Sequence, residues 1–196
     1  MKTPTEPSSS ESLPAASYGL TRRRVLALGA VASLTLAAAP RVALAREQSA
    51  RAIAFHNLHT GENLQTTFWA DGGYVSGALQ EINWVLRDFR TGDVKDIDPV
   101  LLDLLHNLQA RLDTQAPIQV ISGYRSPATN AMLHERSGGV ASRSFHIQGR
   151  AIDINVPGRD LAQIHRAALS MQAGGVGYYP KSDFVHVDTG PVRRWG

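Results

Sequence analysis

From Ala52 onward the chain reads as short alternating or continuously apolar runs interleaved with helical periods. Ala52 to His59 and Leu64 to Trp69 alternate and carry Thr and aromatic side chains, with Thr60-Gly61-Glu62 between them, which predicts a β-hairpin. Ala78 to Phe89 then sets Leu79, Ile82, Val85, Leu86 and Phe89 on one helical face. Asp98-Pro99 is a cap followed by a first-turn proline, and it opens a second helix over Val100 to Leu112 with a stripe of leucines. Pro117 to Tyr124 is short and β-branched and predicts a strand. Ser126-Pro127 caps a helix to about Glu135, and Ser137 to Ser144, with its Gly138-Gly139 pair, has no period and predicts a loop. Arg150 to Val156 reads as a strand, Asp160 to Gln172 as a helix, and Gly175 to Tyr179 and Phe184 to Asp188 as closing strands. No regular strand-helix-strand rhythm emerges. The pattern predicts one α+β domain with a mainly antiparallel sheet flanked by helices.

The first quarter of the 196 residues follows a different pattern. MKTPTEPSSSESLPAASYG is rich in Pro and Ser and predicts a disordered leader. Thr-Arg-Arg-Arg then runs into the apolar stretch Val25 to Ala39, and Ala43-Leu44-Ala45 offers small residues for cleavage, the arrangement of a secretory signal. Its order resembles a twin-arginine signal. Residues 1–45 are therefore expected to be a signal with its leader and 46–196 the functional domain, a periplasmic protein whose partner during export is the twin-arginine translocase. The apolar stretch is shorter than the roughly 20 residues a membrane helix needs, so no stable span is expected after processing.

Removing that segment changes the charge. The formal charge of +3 belongs to the whole chain; residues 1–45 hold five of the 20 basic and two of the 17 acidic residues, leaving 15 of each. No basic footprint for nucleic acid remains. The chain has no cysteine, so any metal must be held by His, Asp or Glu.

Two polar residues interrupt apolar runs. Asp153 sits inside Ala151-Ile152-Asp153-Ile154-Asn155-Val156, where an ionised carboxylate needs an arginine, a hydrogen-bond network or a metal ion to be tolerated. His146 lies seven residues earlier. A continuous strand would separate the two by about 23 Å, so a shared metal requires a reversal between them. Gly149-Arg150 suits a two-residue type II′ hairpin, which would set His146 and Asp153 opposite each other, about 5 Å apart at Cβ. His186, inside Phe184-Val185-His186-Val187, supplies a third ligand. Two histidines and a carboxylate match a catalytic zinc site with one position left for water. His134 and His165 read as surface or groove residues, His56-x-x-His59 belongs to the predicted hairpin rather than to a second metal site, and Trp195 reads as either a cleft edge or a capping aromatic.

Ser144-Phe145-His146-Ile147-Gln148-Gly149-Arg150-Ala151-Ile152-Asp153 resembles the Ser-x-His-x-x-Gly-x-Ala-x-Asp signature of the D-alanyl-D-alanine carboxypeptidase and murein endopeptidase family of zinc peptidases. Asp183-x-x-His186 and Ser122-Gly123-Tyr124-Arg125 are similar to its other two elements. The resemblance covers roughly Gly72 to Trp195 and is nearest to the murein endopeptidase K branch. It implies a hedgehog/DD-peptidase-like fold, Zn2+ on His146, Asp153 and His186, Asp183 as catalytic base where several members have Glu or His, and Arg125 as oxyanion stabiliser. Ser144 and Tyr124 are the expected substrate-binding residues. The implied activity is hydrolysis of peptidoglycan cross-links. A carboxypeptidase trimming terminal D-alanine, with Arg143 or Arg150 binding the free carboxylate, and an inactive peptidoglycan-binding module are the alternatives.

Overall fold

A computed structural model of the chain describes residues 50–137 and 141–196. The export signal expected over residues 1–45 lies outside the described residues, as do three positions of the glycine-containing loop. Among the described residues no helix is long and apolar enough to cross a membrane.

Among the described residues eight strands form one sheet: β1 (Arg51–Asn57), β2 (Asn63–Ala70), β3 (Gly73–Tyr74), β4 (Ile118–Ser122), β5 (Ala151–Asn155), β6 (Gly175–Tyr179), β7 (Phe184–Asp188) and β8 (Arg193–Trp195). Their order is β3-β2-β1-β4-β5-β7-β6-β8. β1 pairs with β4, and β6 with β8, in parallel; the other five pairings are antiparallel. The architecture is the α+β class with a mostly antiparallel sheet. The short strands β3 and β8 lie at the two edges, and their two or three residues are too few for a periodic signal.

Among the described residues four helices accompany the sheet: α1 (Ser76–Val85), α2 (Pro99–Arg111), α3 (Pro127–Ser137) and α4 (Leu161–Met171). Asp98 caps α2 by accepting a hydrogen bond from the Val100 amide at 3.0 Å, with Pro99 in the first turn. Asp160 and Gln163 form a reciprocal capping box on α4. α1 stops at Val85, short of the expected Phe89, and the Leu86 carbonyl just past its end accepts from the Tyr124 amide at 2.8 Å.

The core lies on one face of the sheet. Ile53, Phe55, Ile118, Val120, Ile152, Ile154, Val185 and Val187 pack there against Ile82, the α2 leucines and Ile164. Strand alternation sends Asp153 and His186 to the opposite face. β5 and β7 are buried almost throughout, with the apolar residues of one face alternating with Asp153, His186 and Asp188 on the other.

The hairpin turn expected at Gly149-Arg150 does not form. Phe145–Gln148 is a 3₁₀ turn, with Ser144 accepting from the His146 amide at 3.3 Å and Gly149 as its C-cap. Gly149 has φ 69° and ψ 23°, the left-handed helical conformation that ends a helical turn, whereas a type II′ turn needs a strongly negative ψ. A side chain here is also excluded by space, since a Cβ would stand 2.4 Å from the Asp96 carbonyl oxygen.

Candidate metal centre

Register builds most of the site. Ser122 pairs with Asp153, Asp153 with His186, His186 with Gly177, and Gly177 with Trp195, giving one row across β4, β5, β7, β6 and β8. His146 enters from the 3₁₀ turn. Its Nδ1–H donates to the Gly123 carbonyl at 2.7 Å, and its own carbonyl accepts from the Arg125 amide at 3.3 Å. Tyr124 and Arg125 therefore belong to a segment clamped between α1 and the 3₁₀ turn.

His146 Nε2 lies 3.1 Å from His186 Nδ1 and 3.3 Å from an Asp153 oxygen, while His186 Nδ1 lies 2.9 Å from that same oxygen. All three side chains are buried. His146 Nδ1–H is committed to Gly123, and His186 Nε2–H donates to Asp188 at 2.9 Å. The central atoms are thus three acceptors facing one another, an arrangement that requires a cation among them or a proton on one. Ligand atoms bound at about 2.0–2.1 Å in a tetrahedral shell stand about 3.3 Å apart, so the observed spacing fits a zinc-sized ion.

The electrostatics of the three groups differ. Burial alone would raise the Asp153 pKa, but His146, His186 and Arg125 outweigh it and hold the carboxyl below its usual range. Burial lowers the His146 pKa against the pull of Asp153. Burial also opposes charge on His186, but its bonds to Asp153 and Asp188 prevail and raise its pKa.

A cleft of about 470 Å³ opens over these atoms, lined by Arg125, Arg143, Ser144, Phe145, Tyr179, Phe184, Arg193 and Trp195 among others. Arg125 places Nε 2.8 Å from Ser122 Oγ and pairs through Nη2 with Asp153. Trp195 lies with its ring 5.2 Å from that of His186 and donates its indole N–H to Tyr179 Oη at 2.8 Å. Gly177 makes room for it, because a Cβ there would stand 2.7 Å from the indole.

The structure brings together His146, Asp153, His186, Arg125 and Ser144, but two expected site residues are placed differently. Tyr124 packs against the hydrophobic core and is not among the residues lining the cleft. Asp183 is exposed in the turn before β7, with φ 54°, between the lining residues Ser182 and Phe184. Its carbonyl accepts from the Asn155 amide group at 3.0 Å. Of the two arginines considered for a free carboxylate, Arg143 lines the cleft. Arg150 is turned to Thr189 and stacked over Phe145. The sequence reading assigns no role to Asp188. Its signal was the alternation His186-Val187-Asp188, which sets both polar side chains on one face.

A buried set of two histidines and one carboxylate beneath an open cleft is the donor arrangement of a metallopeptidase. The family model described as peptidoglycan L,D-endopeptidase MepK, of the M15 peptidases, matches residues 45–195, and the chain belongs to that family. It is 46% identical over 179 residues to the peptidoglycan L,D-endopeptidase MepK of Escherichia coli K12, covering 91% of this chain and 98% of that one. It is 42% identical over 177 residues to the probable peptidoglycan L,D-endopeptidase MepK of Haemophilus influenzae, covering 89% and 95%. Among solved structures, the Serratia marcescens L-Ala D-Glu endopeptidase ChiX matches 48% of this chain and 68% of its own at 21% identity, with a TM-score of 0.33.

Proposed function

We propose that this chain is a zinc-dependent endopeptidase that hydrolyses L,D peptide cross-links of peptidoglycan. Family membership supports the reaction class, and the observation that carries the mechanism is the convergence of His146, Asp153 and His186 under the cleft. An L,D bond joins the L-centre carbonyl of one residue to a D-centre amine, as in a diaminopimelate-to-diaminopimelate link. The absence of cysteine and the mixed imidazole and carboxylate donors favour zinc among the divalent ions. The sequence of residues 1–45 supports export to the periplasm by the twin-arginine route, where the substrate lies.

His146, Asp153 and His186 would hold the ion. When bound, it supplies Lewis acidity to the scissile carbonyl and acidifies the attacking water. Arg125, its guanidinium anchored to Ser122 and Asp153 at the cleft, places positive charge where the oxyanion develops, an effect typically worth about 3 kcal/mol. Asp183, at the rim between two lining residues, accepts the water proton and returns it to the leaving amine. Ser144 borders the same cleft and offers its hydroxyl to the substrate peptide.

Digestion of purified cross-linked muropeptides tests the reading. Cross-linked dimers should be converted to monomers, chelator should stop the reaction, and added zinc should restore it. Release of terminal D-alanine alone would make the chain a carboxypeptidase using Arg143, and binding with no cleavage would make it a recognition module. In the same assay Asp183→Asn should keep its zinc and lose about 10² to 10⁴ in turnover. Wild-type turnover would assign the base elsewhere, and loss of zinc would make Asp183 a ligand.

A further inference from the structure

His186 is oriented by a carboxylate that the reaction itself does not use. Asp188 follows it by two residues on the same face of β7 and is completely buried. One Asp188 oxygen accepts from the Gly190 amide at 2.8 Å, the Gly175 amide at 3.1 Å and Arg193 Nη1 at 3.1 Å. The other accepts from Arg193 Nη2 at 2.7 Å and from His186 Nε2–H at 2.9 Å. The surroundings are cut to fit this group. A Cβ on Gly175 would stand 2.5 Å from one carboxylate oxygen, and a Cβ on Gly190 would stand 2.9 Å from the other. Arg193 comes from the edge strand β8 and is held over Phe145 and Trp195, with ring centroids 5.1 and 4.9 Å away.

We propose that Asp188 is the positioning residue of the metal centre: it holds His186 in the Nε2–H tautomer so that Nδ1 faces Asp153 and His146, and Arg193 locks it in place. The inference rests on the metal reading above. An imidazole donating one N–H to a fixed carboxylate becomes a better-oriented and more basic ligand through the other nitrogen, and loss of such a partner typically weakens metal binding about 10- to 100-fold. An amide at position 188 cannot substitute. It has one oxygen where five donors converge, so its NH₂ group must face either the imidazole N–H or the glycine amides. β8 thereby acquires a function beyond closing the sheet, because its arginine reaches the metal ligand through one intervening carboxylate.

Zinc affinity, measured by competition with a chromophoric chelator, tests this on the wild type, Asp188→Asn and Arg193→Gln, with the melting midpoint of each metal-free protein recorded in parallel. Asp188→Asn should bind zinc about 10- to 100-fold more weakly, and Arg193→Gln should weaken it by a smaller factor. Arg193 has a side chain 39% exposed, so this second variant reads the same coupling even where the first fails to fold. Wild-type zinc affinity in a folded Asp188→Asn protein, with only its melting midpoint lowered, would make Asp188 a structural tie and overturn the proposal. A wild-type protein that binds no zinc would instead remove the metal reading itself, and the proposal with it.

Discussion

Arg125 shows how much one side chain is asked to do here. Its Nε is 2.8 Å from the Ser122 hydroxyl and its Nη2 is paired with Asp153, so two parts of the guanidinium are committed before any substrate arrives. A lysine has a single ammonium and cannot span both partners while presenting charge to the cleft. Arg125→Lys is therefore expected to lower kcat by roughly a hundredfold with zinc retained. Zinc content and rate falling together would mean that Arg125 acts through Asp153 rather than on the oxyanion. At this scale the three central residues were legible because each is polar in an apolar or signature context, a placement with a solvation cost that needs an explanation. Asp188 was legible in principle from alternation, but its partners Gly175, Gly190 and Arg193 come from other segments, and nothing local announces that they meet. Tyr124 lies beside Arg125 in the chain, and its side chain packs against the core.

At the scale of elements, strands β6 and β7 and the ends of α2 and α4 follow from apolar period and caps. The route by which His146 approaches Asp153 did not, since a glycine between two polar residues serves a hairpin or a helical cap equally well until its ψ is known. The connection from β4 to α3 is a second case, and Asp88 is what holds it. This residue is 1% exposed; it accepts from the Ser126 amide at 2.8 Å and the Arg90 amide at 3.0 Å, pinning the segment that carries Arg125. Burial would raise its pKa, but the bonds from Thr129 and Ser126 prevail and lower it to about 2. A carboxyl depressed in the folded state stabilises the fold above its unfolded pKa of about 3.9, and this contribution fades as pH falls through the folded value. Denaturant titrations of metal-free protein between pH 5 and pH 2 should thus show Asp88→Asn clearly less stable than wild type at pH 5. The gap should close progressively below pH 4, and a gap independent of pH would mean that the Asp88 charge contributes nothing.

At the scale of the whole molecule, the sheet divides the labour: one face is sealed by helices, and the other carries a row of side chains whose order was set by strand pairing. That order could not be read from the sequence, because Ser122, Asp153, His186, Gly177 and Trp195 meet through β4-β5-β7-β6-β8 adjacency, which local periodicity does not encode. On the proposed zinc reading the row also ties stability to the ion. Three facing acceptors in a buried centre oppose folding until something positive sits among them, and a ligand that binds only the folded chain adds RT ln(1 + [L]/Kd), about 2.7 kcal/mol at a hundredfold excess over Kd. For a domain of this size that corresponds to a rise in melting midpoint on the order of 5–10 °C. Zinc added to metal-stripped protein at neutral pH should produce such a rise, His146→Ala and Asp153→Ala should abolish it, and it should shrink on acidification because the ligands must shed protons to bind. The measurement is a pair of melting curves with and without zinc at two pH values. Superimposable curves for the wild type would show that the row is assembled by packing alone and that no ion contributes to the fold.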